Sequence, residues 1–457
     1  MGKHSLHLFF IRFFSTVATF LVVYYYSHTL SKADYGSYQS IWTAVATIYA
    51  FAGLGVSSVV FTYTPQKLLQ ILSNLPGNFK AAITIIPLCC SAAFAGYCFS
   101  QGYDALLFFS FFLLYSACAL FEVLLSALHR FRFLPFISLG YAAFFCGLHY
   151  YAVRGSLDLN VLFGWLAVLL LARLACYLFI LFPIGKQKET EEAINMAELK
   201  TLWKHLYFYE ASQILIAYLD KFILSNTLSH ADFALYFNAT MSIPFISLVF
   251  SAIANAGMMQ LAKTRSVPAQ LSIQHHTGKL LSTVAFPCFF FLVFFSNEVF
   301  TVLFSEKYLS SIPVFICAML SLPVRAYNYT ALLQTYHKGA HINKGVAIDI
   351  VVSVLLVFPL YFLLGLKGVA LSFVIGTYAQ ALYYLHCSGK LLQIPFYRLV
   401  PLKNWCLKFI LFGISIFSLH YFLKNILTDV ALLVVGITAI GSVSLIWLRR
   451  EFKAIFL

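Results

Sequence analysis

The sequence predicts an all-α polytopic membrane protein with about fourteen transmembrane helices, arranged as two parallel six-helix lobes followed by a C-terminal helix pair. Three observations lead to this fold class. The chain of 457 residues is 61% hydrophobic and only 10% charged, which is more apolar surface than a soluble domain can bury. Apolar runs of about twenty residues recur along it, each long enough to cross a bilayer as a helix. A stretch near the N-terminus also returns 198 residues later.

The distribution of basic residues supports this number of spans, because Lys and Arg accumulate in cytoplasmic loops. With a cytoplasmic N-terminus, and with basic residues near a span end counted on the adjacent side, 21 of the 30 Lys and Arg residues fall on the cytoplasmic side, five on the opposite side and four inside spans. One span too many or too few would destroy this bias, so both termini are predicted to be cytoplasmic. The predicted spans, numbered in chain order, are 6–30, 38–62, 81–100, 105–128, 134–153, 159–182, 205–227, 236–262, 278–296, 311–335, 346–364, 368–392, 404–424 and 428–448.

The repeat defines the domain organisation. Residues 7–38 align without a gap with residues 205–236, and eleven of the 32 positions are identical. Spans 1 and 7 carry the repeat, and the even number of crossings from one to the other gives both the same orientation. The repeats are therefore parallel, and such an arrangement is typical of transporters. The predicted units are an N-terminal lobe at 1–183, a cytoplasmic linker at 184–204, a C-terminal lobe at 205–393 and accessory spans at 394–457.

The composition excludes several classes of function. The net charge of +14 follows the cytoplasmic bias of Lys and Arg, so it indicates contact with membrane lipid headgroups and not with nucleic acid. All ten cysteines fall in apolar runs, which predicts neither disulfides nor a zinc site. The sequence has no phosphate-binding loop, nucleophile elbow or HExxH motif, and its predicted loops are short. We therefore expect a transporter, not an enzyme, with no cofactor or metal.

Eight charged residues within predicted spans are candidates for a functional or structural role. Each would cost at least ~2.5–3.5 kcal/mol if it faced lipid at the centre of the bilayer. They are therefore expected to face the protein interior or an aqueous cavity. The eight are Arg12, Glu122, Arg173, Glu210, Asp220, Lys221, Arg325 and Asp349.

The four cations are predicted to bind an anionic substrate. At ~1.5 Å per residue, Arg173 and Arg325 lie near the middle of the bilayer, with Arg12 and Lys221 nearer its two surfaces. The planar guanidinium suits phosphate, because it can donate two parallel hydrogen bonds. Pro323 is expected to unwind the helix beside Arg325. The alternative is that each cation is a buried structural partner or reaches an interface with its long side chain.

The four acidic residues are predicted to be gate or structural charges. Glu122 and Asp349 lie within two turns of a cytoplasmic span end, which favours a structural role, and Asp220 precedes Lys221 directly. Glu210 occupies the repeat position of Arg12. We hypothesise that Arg12 and Glu210 form an ion pair across the pseudo-two-fold axis that relates the two lobes. This pair would close the cytoplasmic side of the transport path in the outward-open state. Two unrelated interior charges are the alternative.

The repeated LS-x-AD motif falls where spans 2 and 8 begin. Its aspartates, Asp34 and Asp232, stand 198 residues apart. A carboxylate at a helix start can accept from free backbone N–H groups and complement the helix dipole. We therefore predict that the motif caps these helices, and a substrate contact is the alternative.

Four segments follow one another along the chain: LSKADYGSY after span 1, YLDKFILSNTLSHADFALYFNAT from span 7, FSEKYLSSIPVF before span 10 and LKGVALSFVIGTY in span 12. Their order and spacing resemble the polysaccharide and O-antigen flippases of the multidrug/oligosaccharidyl-lipid/polysaccharide exporter superfamily. The resemblance covers most of residues 6–392. The lipid II flippase branch carries basic residues in spans 1, 2 and 8, whereas spans 2 and 8 of this chain carry none.

This resemblance implies two six-helix bundles, alternating access, a central cationic cavity and export of a polyprenyl-pyrophosphate-linked oligosaccharide across the cytoplasmic (inner) membrane. The expected partners are this lipid-linked substrate, membrane lipid and polysaccharide-assembly membrane proteins, and the protein is expected to be a monomer. An ion gradient is one candidate energy source. A cation-coupled multidrug exporter of the same superfamily is the alternative, and a membrane glycosyltransferase or polymerase is a more distant one.

Overall fold

The computed structural model describes residues 2–130, 132–155, 158–181, 196–241, 244–261, 263–264 and 266–456. Within these ranges the regular structure is helical and includes no strand. Eleven helical segments of the described residues are long and apolar enough to cross a membrane. The prediction of an all-α polytopic protein is therefore confirmed, while the number fourteen and the cytoplasmic termini stay predictions. The first part of the predicted linker, up to residue 195, lies outside the described residues.

The chain forms two compact units, Met1–Ala234 and Leu235–Leu457, called here the first and second unit. The predicted lobes follow the repeat and begin the second lobe at residue 205, whereas the structure groups residues 205–234 with the first unit. The first unit contains α1 (Gly2–Thr29), α2 (Lys32–Ala52), α3 (Val56–Val60), α4 (Pro65–Ser73), α5 (Gly77–Ser100), α6 (Ala105–Ala127), α7 (Leu134–Arg154), α8 (Leu159–Leu181) and α9 (Met196–Thr227).

Helix α10 (His230–Ala239) spans the boundary between the two units. Three short 3-10 helices, at Glu306–Ser311, Pro323–Ala326 and Phe396–Arg398, interrupt the second unit. Its α-helices are α11 (Pro244–Leu261), α12 (Val267–Phe294), α13 (Ser296–Phe304), α14 (Ile312–Met319), α15 (Ala331–Thr335), α16 (Gly339–Leu364), α17 (Leu366–Leu392), α18 (Leu402–Leu423) and α19 (Asp429–Phe456).

The repeated motif builds the same helix start twice. Ser31 Oγ accepts from the Asp34 backbone N–H at 3.1 Å and donates to the Asp34 carboxylate at 2.6 Å. Ser229 and Asp232 repeat this arrangement at 3.2 and 2.7 Å. The capping prediction is confirmed with one correction: the serine supplies the capping oxygen, and the aspartate in turn accepts from the serine hydroxyl.

Predicted spans 2, 7 and 8 are not among the eleven segments apolar enough to count as spans by composition. Helix α2, which forms most of span 2, shows the reason. Twelve of its 21 residues are buried, including Gln39 and Thr43, and it packs against α5 and α9. A helix that faces protein on most sides can carry polar residues that a lipid-facing helix cannot.

A buried cation attaches the C-terminal helices to α12. Lys408 on α18 is fully buried, and its Nζ donates to the Lys279 carbonyl and to Thr283 Oγ1, both at 2.7 Å. Glu451 on α19 completes the site at 3.2 Å. By sequence, Lys408 counts among the cytoplasmic basic residues. In the structure its side chain is buried and connects α12, α18 and α19.

Candidate functional site

A break in predicted span 10 forms one wall of a pocket in the second unit. Helix α14 ends at Met319, a 3-10 helix covers Pro323–Ala326, and α15 begins only at Ala331. Proline has no backbone N–H and restricts the residue before it, so a helix passes through it poorly. The prediction that Pro323 unwinds the chain beside Arg325 is confirmed.

The pocket has a volume of about 260 Å³ and lies between the unwound segment, α11, α12 and α17. Arg325 lines it from the unwound segment, Phe250 and Ser251 from α11, and Thr377 and Gln380 from α17. None of its fourteen lining residues, all within the described part of the second unit, is acidic. The one charged group on the pocket wall is therefore a cation.

Three lining side chains keep polar atoms available for a ligand. Arg325 makes no ion pair or side-chain hydrogen bond, and the polar groups of Tyr329 and Gln380 are equally without a hydrogen-bond partner among the described residues. Asn328 differs, because it donates to the Ala254 carbonyl at 3.4 Å and accepts from Thr330 at 3.3 Å. Polar groups on a concave wall that lack protein partners are suited to a ligand.

Arg173, predicted to contact substrate, is held by neighbouring side chains. It forms an ion pair with Glu122 on α6, and its Nε donates to the Tyr177 hydroxyl at 2.8 Å. Tyr177 donates in turn to Glu122 at 2.8 Å, and the Arg173 guanidinium lies 4.3 Å from the centre of the Tyr141 ring. The cluster links α6, α7 and α8. In this conformation the charge of Arg173 is compensated, which matches the structural alternative.

Lys221 also has an acidic neighbour. Its Nζ lies 3.4 Å from both carboxylate oxygens of Asp220 and 3.2 Å from the Ala217 carbonyl. Both charged side chains are buried. This predicted binding residue is therefore also partly neutralised within α9.

Glu210 and Arg12, hypothesised to pair across the repeat axis, have different surroundings. Glu210 accepts hydrogen bonds from Ser57 and Ser58, which lie on α3 in the same unit. Arg12 is exposed on α1. Among the described side chains no ion pair joins the two, so this conformation lacks the hypothesised cross-axis pair. Instead, Glu210 attaches α9 to α3.

Asp349 is buried where α16 packs against α17. It accepts from Ser353 at 3.2 Å, and only 2% of it is exposed. A Cβ added to Gly376 on α17 would lie within 2.5 Å of the Asp349 carboxylate. The close approach of the two helices therefore depends on that glycine, and Asp349 lies in a helix contact outside the Arg325 pocket.

Tyr329 and Gln380 are site residues that sequence analysis missed. Both are neutral, so a search for charges inside spans cannot find them. The available signal was the polar run from Tyr327 to Thr330, which begins two residues after Arg325 within an apolar span. Gln380 lies on a different helix, and no local pattern connects it with that run.

Solved structures resemble this chain although no protein-family model and no curated protein matches it. The inward closed conformation of the lipid II flippase MurJ aligns with a TM-score of 0.66 over 100% of both chains, at 14% identity. The chain shares the fold of this flippase. An inward-facing MATE family multidrug resistance transporter of the MOP superfamily aligns with a TM-score of 0.56 over 83% of this chain and 94% of its own, at 13% identity. MATE in complex with MaD5 gives 0.53, over 86% and 95%, at 13% identity.

These similarities confirm the predicted resemblance at the level of the fold. The neighbours include a lipid flippase and multidrug transporters, so the fold is common to both kinds of transport. A choice between the two therefore depends on the chemistry of the site in this chain.

Proposed function

We propose that this protein is a flippase that moves a polyprenyl-pyrophosphate-linked oligosaccharide from the cytoplasmic to the external leaflet of the inner membrane, for the synthesis of a cell-surface polysaccharide. The observation that carries this proposal is the Arg325 pocket, which has an available guanidinium and no acidic lining residue. The transporter fold supports it.

The charge of the pocket favours an anionic substrate over a cationic drug. Arg325 is exposed on the pocket wall without an acidic partner, so its guanidinium attracts phosphate and repels cations. A cation-coupled multidrug exporter would need carboxylates on the wall of its drug site. The Arg325 pocket has none, so its chemistry favours a flippase over a multidrug exporter.

In the proposed mechanism the sugar-pyrophosphate head enters the protein while the polyprenyl tail stays in lipid. Arg325 donates to a phosphate, and the exposed Arg12 is a second candidate contact. Arg173 and Lys221 would join them only in a conformation that releases them from Glu122 and Asp220. The head is then released outside by alternating access. Binding alone cannot drive net transport, so an ion gradient or consumption of the product must supply the energy.

A proteoliposome assay tests this proposal with the lipid-linked oligosaccharide and a cationic drug as parallel substrates. Hydrogen bonds to charged groups contribute about 1.5–3 kcal/mol, so Arg325→Ala should slow flipping by about 10- to 150-fold. Arg154→Ala is the matched control, because Arg154 is an exposed arginine at the end of α7, 4.6 Å from the centre of the Tyr150 ring. Unchanged flipping in Arg325→Ala, or transport of the drug in place of the lipid, would overturn the proposal.

A further inference from the structure

The Arg325 pocket carries two kinds of polar surface. Arg325 supplies a cation, while Tyr329 and Gln380 supply neutral groups from the unwound segment and from α17. All three remain free of hydrogen-bond partners among the described residues. A site for phosphate alone would gain little from an aromatic ring or from the acceptor oxygen of an amide. We therefore expect the neutral groups to contact a second part of the ligand, next to the phosphate.

The chemistry of Tyr329 and Gln380 suits a sugar. A glutamine amide offers two donors and an acceptor in one plane, which matches a pair of neighbouring sugar hydroxyls. A tyrosine offers an apolar ring face and a hydroxyl at its edge, and a sugar ring likewise has C–H faces and hydroxyl edges. An acidic residue would also accept from sugar hydroxyls, but beside a phosphate it would repel the ligand. Gln380 provides the acceptor without the charge.

The surrounding residues fix the frame of the pocket. Asn328 is engaged with Ala254 and Thr330, and Gln334 donates to Thr330 at 3.1 Å. On α17, the Tyr384 hydroxyl donates to the Ile342 carbonyl at 2.7 Å. Asn328, Gln334 and Tyr384 thus help to hold the backbone that carries the available groups. Such preorganisation is expected of a binding site.

From these observations we propose that Tyr329 and Gln380 form a sugar-recognition subsite that binds the sugar residue attached to the phosphate held by Arg325. The inference rests on the proposed function and makes it more specific. At about 260 Å³, the pocket lies below the ~300–1,000 Å³ of typical small-molecule sites. It accommodates one sugar phosphate and not an entire oligosaccharide, so its specificity concerns the first sugar.

Calorimetric titration of the purified full-length protein in detergent tests the subsite. The probes are N-acetylglucosamine 1-phosphate, glucose 1-phosphate and inorganic phosphate. We expect at least one sugar phosphate to bind wild type about five- to tenfold more tightly than inorganic phosphate does. Gln380→Leu and Tyr329→Ala should remove that difference and leave phosphate affinity unchanged, whereas Arg325→Ala should weaken binding of all three probes.

Two variants control for general effects of these substitutions. Tyr378→Phe alters a tyrosine on α17 whose hydroxyl donates to the Leu320 carbonyl, and Gln101→Leu alters an exposed glutamine after α5. Neither residue lines the pocket, so both variants should bind like wild type. The subsite is refuted if wild type binds no sugar phosphate more tightly than inorganic phosphate. It is also refuted if Gln380→Leu and Tyr329→Ala weaken the binding of inorganic phosphate as much as they weaken the binding of sugar phosphates.

The flipping assay separates failure of the subsite from failure of the proposed function. Arg325-dependent flipping with no preference for sugar phosphates would overturn the subsite alone. A sugar-phosphate preference that depends on Gln380, in a protein that does not flip the lipid, would support the subsite and overturn the proposed function.

Discussion

Breaking the Arg173–Glu122 pair decides whether Arg173 is a structural residue or a substrate contact. The side chains of Arg173 and Glu122 are 12% and 26% exposed, and Tyr177 bonds to both. Glu122→Gln leaves the guanidinium in the span without its counter-charge. Removal of one partner from a buried ion pair typically costs about 3–5 kcal/mol, and the partial exposure of Glu122 places the expected loss near the lower value.

Replacement of both partners should be far less harmful. In Arg173→Met/Glu122→Leu no charge is left unpaired, and such exchanges are often neutral or stabilise by about 1–4 kcal/mol. The single variants Arg173→Met and Glu122→Leu complete a double-mutant cycle. SDS-induced unfolding from mixed micelles, measured for wild type, both single variants and the double variant, gives the coupling free energy between the two residues. The structural account predicts that the double variant is more stable than Glu122→Gln and still flips lipid.

One result would refute a purely structural role for Arg173. A double variant that is as stable as wild type but has lost flipping would show that Arg173 contacts the substrate, as its position near the middle of the bilayer suggests. The ion pair seen here would then belong to one conformation of the transport cycle.

Three further predictions concern stability in the same unfolding assay. Ser31→Ala and Ser229→Ala each remove an N-cap and should cost about 0.5–2 kcal/mol, with similar losses because the two caps are repeat-equivalent. Gly376→Ala places a Cβ against side chains of α16 and should cost about 1–3 kcal/mol through overpacking. Lys408→Met leaves Glu451 without its counter-charge and should cost up to about 3 kcal/mol, with partial recovery in Lys408→Met/Glu451→Leu.

Each of these predictions has an outcome against it. A large loss for one serine variant and none for the other would contradict equivalent caps. A Gly376→Ala protein with wild-type stability would show that α16 and α17 can separate at no cost. If the double exchange at Lys408 and Glu451 were as harmful as the single one, the pair would not be the anchor of the C-terminal helices.

The fold class, the helix starts and the helix break were predictable because they depend on local chemistry. Apolar runs long enough to cross a bilayer have few alternatives to a helix, and Pro323 breaks span 10 through its own covalent structure. The repeated Ser31 and Ser229 caps each use an aspartate three residues along the chain. In all of these cases the relevant partner lies within a few residues in the sequence.

The partners of the charged residues were not predictable, because helix packing determines them. Glu122 and Arg173 are 51 residues apart, and the sequence shows only that each needs some partner. Tyr329 and Gln380 carry no charge, so the free-energy cost of placing them in an apolar span is small. A search for costly residues inside spans therefore does not find them. Neutral polar residues become visible as site residues only when the fold brings them to a common wall.

The central claim is that Arg325 acts on the charge of the substrate. Its most direct test compares flipping of a polyprenyl-pyrophosphate-linked disaccharide with flipping of a neutral polyprenyl glycoside that carries the same sugars, in wild type and in Arg325→Ala. If Arg325 binds the phosphate, the substitution slows flipping of the anionic lipid about tenfold or more and leaves flipping of the neutral lipid unaffected. Equal slowing of both lipids, or no slowing of either, would contradict this claim.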